Sequence, residues 1–327
     1  MATDARAYRN TLLTLWVVLA AIAYFVSRQQ HIPTSVAAWL TAAFLVELAF
    51  YLGLGFAWSK ALVDSIEPPP VRALMLMLSA LIPYLIYALG TGTFHWRSLG
   101  FLALIATITS AWFVFFKRPF TDILFCAILA VLILSNVFDS IYVTLARKAD
   151  APWLGRLMLV HTSVFAATSI RRLGAIGFRF VPNARDWIIG LTCYAGAFVS
   201  VYMANIWIKL VHVQMAPGPW WRVAGLGIAI FLGFLWVGSI SEEFITRGIL
   251  QQTLTKQIGV IKSILITAVI FGLVHLPFAH KFPNWPQAAM AGILGIFCGI
   301  AYQRAGNIRA STITHALVVA TWRTFFA

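Results

Sequence analysis

Charge is what this chain has least of. Only 10% of its 327 residues are Asp, Glu, Lys or Arg, and just 10 of them are acids. A water-soluble domain carries about 25% charged residues, so an ordinary soluble enzyme is excluded. Disorder is excluded too, because 61% of the chain is hydrophobic and 14% aromatic, a composition that packs rather than solvates. Cysteine is scarce: Cys126, Cys193 and Cys298 each stand alone inside an apolar run. Without a CxxC pair there is no thiolate metal spacing and no redox motif, and the three read as packing residues. No HExxH occurs, no internal repeat is visible, and no polar interval exceeds roughly 16 residues. Large soluble domains are thereby excluded, and the missing repeat speaks against a secondary transporter.

Long apolar runs are what the chain has instead. They occupy 10–27, 36–59, 73–96, 98–116, 123–145, 187–208, 223–241, 263–280, 282–303 and 308–325. Each is close to the ~20 residues that a helix needs to cross a bilayer. A further stretch, 152–170, either spans or lies in the interface. The fold expected is all-α, a polytopic transmembrane helix bundle of ten or eleven spans. The first run follows Arg6 and Arg9 and contains Ala21-Ile22-Ala23, which imitates a signal peptide. Apolar sequence continues to Val26, so an uncleaved first span is expected.

The bases outnumber the acids 24 to 10, a formal charge of +14. They sit singly or in pairs between apolar runs, as in loops that face headgroups and the cytoplasm. No basic face of base-reading side chains can be drawn, so nucleic acid is excluded as a partner. The partner expected is the lipid bilayer. The loop Arg171 to Asp186, with four arginines and a turn at Pro182-Asn183, is expected on the cytoplasmic side. Low acid content and the lack of a eukaryotic retention signal point to a bacterial cytoplasmic membrane. Three regions are expected. Residues 1–150 are generic spans of unknown role, residues 151–186 are the ambiguous segment with the basic loop, and 187–327 form a catalytic helix core.

An ionisable group at membrane depth costs about 2.5–3.5 kcal/mol on insertion scales and so marks function by default. Four of the acids lie inside or at the end of apolar runs: Glu47, Asp139, Glu242 and Glu243. The last two occur in Ser241-Glu242-Glu243-Phe244-Ile245-Thr246-Arg247, after 19 uncharged residues, and the helix is expected to run on through them. Glu243 and Arg247 are four apart and share a face, with the acid N-terminal as a helical ion pair prefers. Glu242 lies about 100° around the helix, away from that partner. One carboxylate is then held and the other free, a division that suits a general base beside a structural acid. A solvated helix end with an ordinary ion pair is the plainer alternative.

Two histidines join them. His275 lies in Phe271-Gly272-Leu273-Val274-His275-Leu276-Pro277, four residues after Phe271 and on its face. His315 lies in Ser311-Thr312-Ile313-Thr314-His315-Ala316 of the last apolar run. Each alone reads as a core histidine satisfied by a carbonyl. Two glutamates, an arginine and two histidines on three helices are the types needed to deprotonate a water and steady an oxyanion. His31, His95, His161 and His212 are expected in loops or at helix ends, and His280 near the Pro283 turn.

The ordered set EExxxR, FxxxH and a helix with an inward His resembles the CAAX-protease and bacteriocin-processing (CPBP, Abi) family, which includes the type II CAAX prenyl endopeptidases. The resemblance covers about 185–327, with Arg179 and Pro182 similar to the family's preceding segment. It implies an intramembrane endopeptidase of glutamate type acting on a membrane-associated peptide or protein. Glu242 would activate water with His275, Glu243 and Arg247 would orient that carboxylate, and His315 would help bind the oxyanion. Many members carry HxxxN where this chain has His315 and Val319. One amide donor is thereby missing: either Thr312 or Thr314 substitutes for it, or this member is slow or inactive.

Other functions compete. Two histidines and a glutamate can hold zinc with an open position, against which stand the missing HExxH and the nearby Arg247. A non-catalytic bacteriocin-immunity or regulatory membrane protein could keep the same residues as a scaffold, which Val319 favours. A proton-coupled transporter would use Glu47 and Asp139 but would require the absent repeats.

Overall fold

The computed structural model describes residues 1–146, 150–174, 176–208, 217–278 and 282–326. The fold is 83% helical, and no strand occurs among the described residues. His212 and His280 lie outside the described residues. Two compact units emerge, Met1–Thr121 with Ala127–Leu173, and Asp122–Cys126 with Gly174–Ala327.

The first unit carries α1 (Ala2–Gln29), α2 (Thr34–Gly53), α3 (Ala57–Asp64), α4 (Pro69–Gly90), α5 (Trp96–Phe115), most of α6 (Pro119–Leu134), α7 (Val137–Ile141) and α8 (Pro152–Phe165). Proline stands in the first turn of α4, α6 and α8, where its missing N–H is needed by no helical acceptor. The ambiguous 152–170 segment is helical and mostly buried, and α8 ends in a widened turn over Ala166–Ile170. His161 is therefore not at a loop or helix end, as its sequence suggested. It is fully buried in α8, with Nδ1 2.6 Å from Glu47 Oε1 and Nε2 3.3 Å from Ser79 Oγ. An acid in another helix, remote in sequence, supplies the partner that water would have supplied. Asp139 differs as well: α6 stops at Leu134, Asn136 turns the chain at φ 50°, and the carboxylate is half exposed, 3.9 Å from Arg156.

The second unit carries α9 (Ala184–Ile208), α10 (Trp220–Ile258), α11 (Val260–Val274), α12 (Trp285–Ala305) and α13 (Ile308–Phe325). Gly259, at φ 83°, separates α10 from α11 in a conformation that an L side chain rarely adopts. The chain leading into α9 is pinned at Asp186, whose carboxylate accepts from Arg309 Nε at 2.6 Å, Asn307 Nδ2 at 3.0 Å and the Asn183 N–H at 2.9 Å. That staple and the bond from Ile308 N–H to Ile176 O fix the start of α13.

Among the described residues seven helices are long and apolar enough to cross a membrane: α1, α2, α4, α5, α9, α10 and α12; α6 and α11 are apolar but shorter. The protein is a multi-pass membrane protein. Each run read from the sequence contains a helix, but the seven are fewer than the ten or eleven spans expected. The polar α13 is the instructive exception, because Ser311, Thr312, Thr314 and His315 are all buried and find their partners inside protein rather than in lipid. Cys126, Cys193 and Cys298 are free and buried.

Candidate active site

Four helices of the second unit build the site. In α10 the regular winding widens at Phe234–Gly238 and again at Phe244–Gln251, and the two glutamates lie on the α-helical turn between. Such widened turns recur at functional sites. They leave the pairing of residues four apart intact here: Arg247 Nη1 donates to Glu243 Oε1 at 2.9 Å, with both side chains fully buried. Arg247 Nη1 also donates to Thr246 Oγ1 at 2.8 Å, and Nη2 donates to Gly295 O of α12 at 2.8 Å. The same Glu243 oxygen accepts from His315 Nδ1 of α13 at 2.9 Å.

Glu242 is placed otherwise. Its side chain is 38% exposed, and its Oε2 lies 3.9 Å from His315 Nε2. The imidazole of His315 thus sits between the two carboxylates, bonded to the buried one and facing the open one. His275 ends α11, and its Nδ1 donates to Phe271 O at 2.8 Å. That bond places the proton of a neutral ring on Nδ1 and leaves Nε2 as an acceptor.

Phe271 is the spacer among these groups. Its ring lies 4.9 Å from the Arg247 guanidinium carbon, 4.7 Å from the His275 ring, and edge-on to His315 at 5.6 Å. Backbones approach closely to allow this. A Cβ on Gly272 would meet Ala288 O at 2.6 Å, so α11 and α12 touch through bare backbone. Glu242, His275 and His315 line one cavity of about 290 Å³, walled by apolar groups such as Phe234, Leu294 and Val318.

All five residues singled out in the sequence therefore gather in one place, Glu242, His275 and His315 on the cavity and Glu243 with Arg247 beneath it. Thr312 and Thr314 are not on the cavity. Thr312 Oγ1 donates to Ile308 O at 2.8 Å and Thr314 Oγ1 to Gly190 O at 3.0 Å. Their hydroxyls are tied to backbone carbonyls, the usual outcome for Thr in a buried helix, so neither replaces the missing amide. Val319 does line the cavity. Sequence reasoning passed over Phe271 as more than a spacing mark, and over the Gly295 carbonyl. The signal for the second was there: Gly292, Gly295 and Gly299 give α12 a close-approach face.

Among the described residues, Glu243, Cys298 and His315 are the cluster with ligand-like spacing, their donor atoms within 4.8 Å of one another. His275 is not part of it. Glu243 Oε1 already accepts two hydrogen bonds, and the Arg247 guanidinium lies 2.9 Å away, where it opposes a cation.

These residues build a carboxylate–imidazole site on apolar helices, with a buried ion pair beneath it. Residues 223–321, which hold the whole site, match the family described as type II CAAX prenyl endopeptidase Rce1-like. That is the family to which the motifs pointed. No curated protein and no solved structure matches the chain.

Proposed function

We propose that the protein is an intramembrane endopeptidase of glutamate type, hydrolysing a peptide bond of a membrane-associated peptide or protein. One observation carries the reading: of two adjacent glutamates, Glu242 opens onto a cavity shared with His275 and His315, while Glu243 is locked away by Arg247. Glu242 and the free Nε2 of His275 are two proton acceptors on that cavity, the equipment to deprotonate an attacking water. His315 is oriented through Nδ1 by Glu243, as a carboxylate orients an imidazole in hydrolytic triads. With Nδ1 held by Glu243, its Nε2, 3.9 Å from Glu242 Oε2, takes up the proton removed from the water, donates as imidazolium to the oxyanion, and delivers that proton to the leaving amine as the C–N bond breaks. Arg247 pairs with Glu243 at 2.9 Å and holds it in place, and touches nothing that reacts. No step requires a metal ion.

The match to the prenyl endopeptidase family supports this reading. The apolar walls around a small polar end suit a substrate presented from the bilayer. The membrane we assign is the cytoplasmic membrane of a bacterium, from the scarcity of acids and the single and paired bases between spans. The test is cleavage of a membrane-peptide library, including farnesylated peptides ending in a CAAX box, by purified wild type and Glu242→Gln in detergent. Activity lost in the variant while its fold persists supports the reading. A folded wild type that cleaves nothing overturns it and favours a scaffold or immunity role.

A further inference from the structure

Gln287 stands where an amide is needed. The oxyanion of a peptidase requires preorganised donors, and His315 alone supplies one from this chain's own motif. Position 319, where the resembled family often places an amide, is Val and lines the cavity without a donor. Gln287 lines the same cavity, together with Glu242, His275 and His315. Among the described residues its carboxamide has no hydrogen-bond partner, and only its backbone N–H is engaged, donating to Asn284 Oδ1 at 3.2 Å.

The backbone ties the turn that carries Gln287 to the segment that follows His275. Asn284 N–H donates to Leu276 O at 2.9 Å and its Nδ2 to Phe278 O at 3.4 Å, so the first turn of α12 is stitched to the residues just after His275. One residue beyond Gln287, the Ala288 carbonyl is the group that a Cβ on Gly272 would strike, one turn before His275. Met290, Ala291 and Leu294 continue the same face of α12 along the cavity wall. Gln287 also belongs to the opening turn of a helix of 21 residues, whose partial positive end favours a developing negative charge. Arg323, among the described residues the other basic side chain on the cavity besides the histidines, is engaged 4.9 Å over the Phe234 ring.

We propose that Gln287 is a catalytic residue, its Nε2–H₂ donating to the carbonyl oxygen of the scissile bond as that oxygen becomes an oxyanion. In this chain the amide donor comes from α12 instead of α13. The proposal rests on the peptidase reading above, and the experiment separates the two.

Steady-state cleavage of a farnesylated CAAX peptide is measured for wild type, Glu242→Gln, Gln287→Leu and the double variant Gln287→Leu/Val319→Asn. Losing one oxyanion donor lowers kcat by about 10²–10³, and KM holds because the interaction forms only in the transition state. Gln287→Leu is expected to show that split with its melting temperature unchanged, and the double variant to recover at least ~10-fold. Should the leucine variant fold poorly, Gln287→Met, of similar length and without a donor, takes its place. A kcat within about threefold of wild type, or a KM that rises in step with the loss, overturns the proposal. A double variant no faster than Gln287→Leu overturns it as well, since the two positions then share no oxyanion. If Glu242→Gln keeps the wild-type rate, or wild type cleaves nothing, the peptidase reading itself fails.

Discussion

Replacing Arg247 by Leu tests the division of labour between the two glutamates most directly. Arg247 and Glu243 are both fully buried and joined at 2.9 Å. Removing the guanidinium leaves a carboxylate with only His315 to neutralise it. It also leaves Gly295 O, now bonded at 2.8 Å, without its donor. Breaking a buried pair by deleting one partner costs about 3–5 kcal/mol, and every 1.4 kcal/mol is tenfold in an equilibrium constant. The folded-to-unfolded ratio should therefore fall by roughly two to three and a half orders of magnitude. Glu242→Gln is the contrast: a side chain 38% exposed, with His315 Nε2 3.9 Å away, should shift stability within about 0.5 kcal/mol while abolishing turnover. Glu243→Gln should resemble Arg247→Leu. The double variant Glu243→Gln/Arg247→Leu should be less destabilised than the sum of the two, because it strands no charge. The assay is reversible denaturation in detergent micelles, followed by helical circular dichroism, alongside the cleavage rate. Equal stability loss in Glu242→Gln, Glu243→Gln and Arg247→Leu would refute the division, because it would make both carboxylates structural.

Three further outcomes are expected. Dialysis against EDTA or 1,10-phenanthroline should leave the cleavage rate of purified wild type unchanged, since the guanidinium beside Glu243 disfavours a cation; loss of activity restored by added zinc would reinstate a metal site. Gly272→Ala should lower stability by about 1–3 kcal/mol, the usual penalty for overpacking, and should depress kcat by parting α11 from α12; an unchanged rate and melting temperature would show that the two helices are not held at backbone contact. Glu47→Gln should cost about 1–3 kcal/mol of stability, as one buried hydrogen-bonded partner is weakened, while kcat stays within twofold of wild type; a large drop in turnover at unchanged stability would place the Glu47–His161 pair in the chemistry.

What the sequence disclosed and what it hid follow from the range of the forces involved. The helices were legible because the cost of burying backbone in lipid is paid residue by residue, so an apolar run declares a span locally. The Glu243–Arg247 pair was legible for the same reason: a spacing of four is a local geometry. Everything that depended on meeting a second element was not. His161 looked like a solvated histidine because its acid, Glu47, is 114 residues away. The hydroxyl of Thr314 looked available because the carbonyl that takes it, Gly190 on α9, is 124 residues away. Gln287 was passed over because an amide in a polar loop-to-helix junction is unremarkable until the opposite wall of the cavity is known. The missing donor at Val319 was read in the sequence from α13 alone, and the search for its replacement stayed on that helix. The fold moves the question to the neighbouring wall, where α12 carries an amide that no other described group engages. In a membrane site the chemistry is conserved by the cavity, which several helices share, and a donor lost from one helix is best sought on the next.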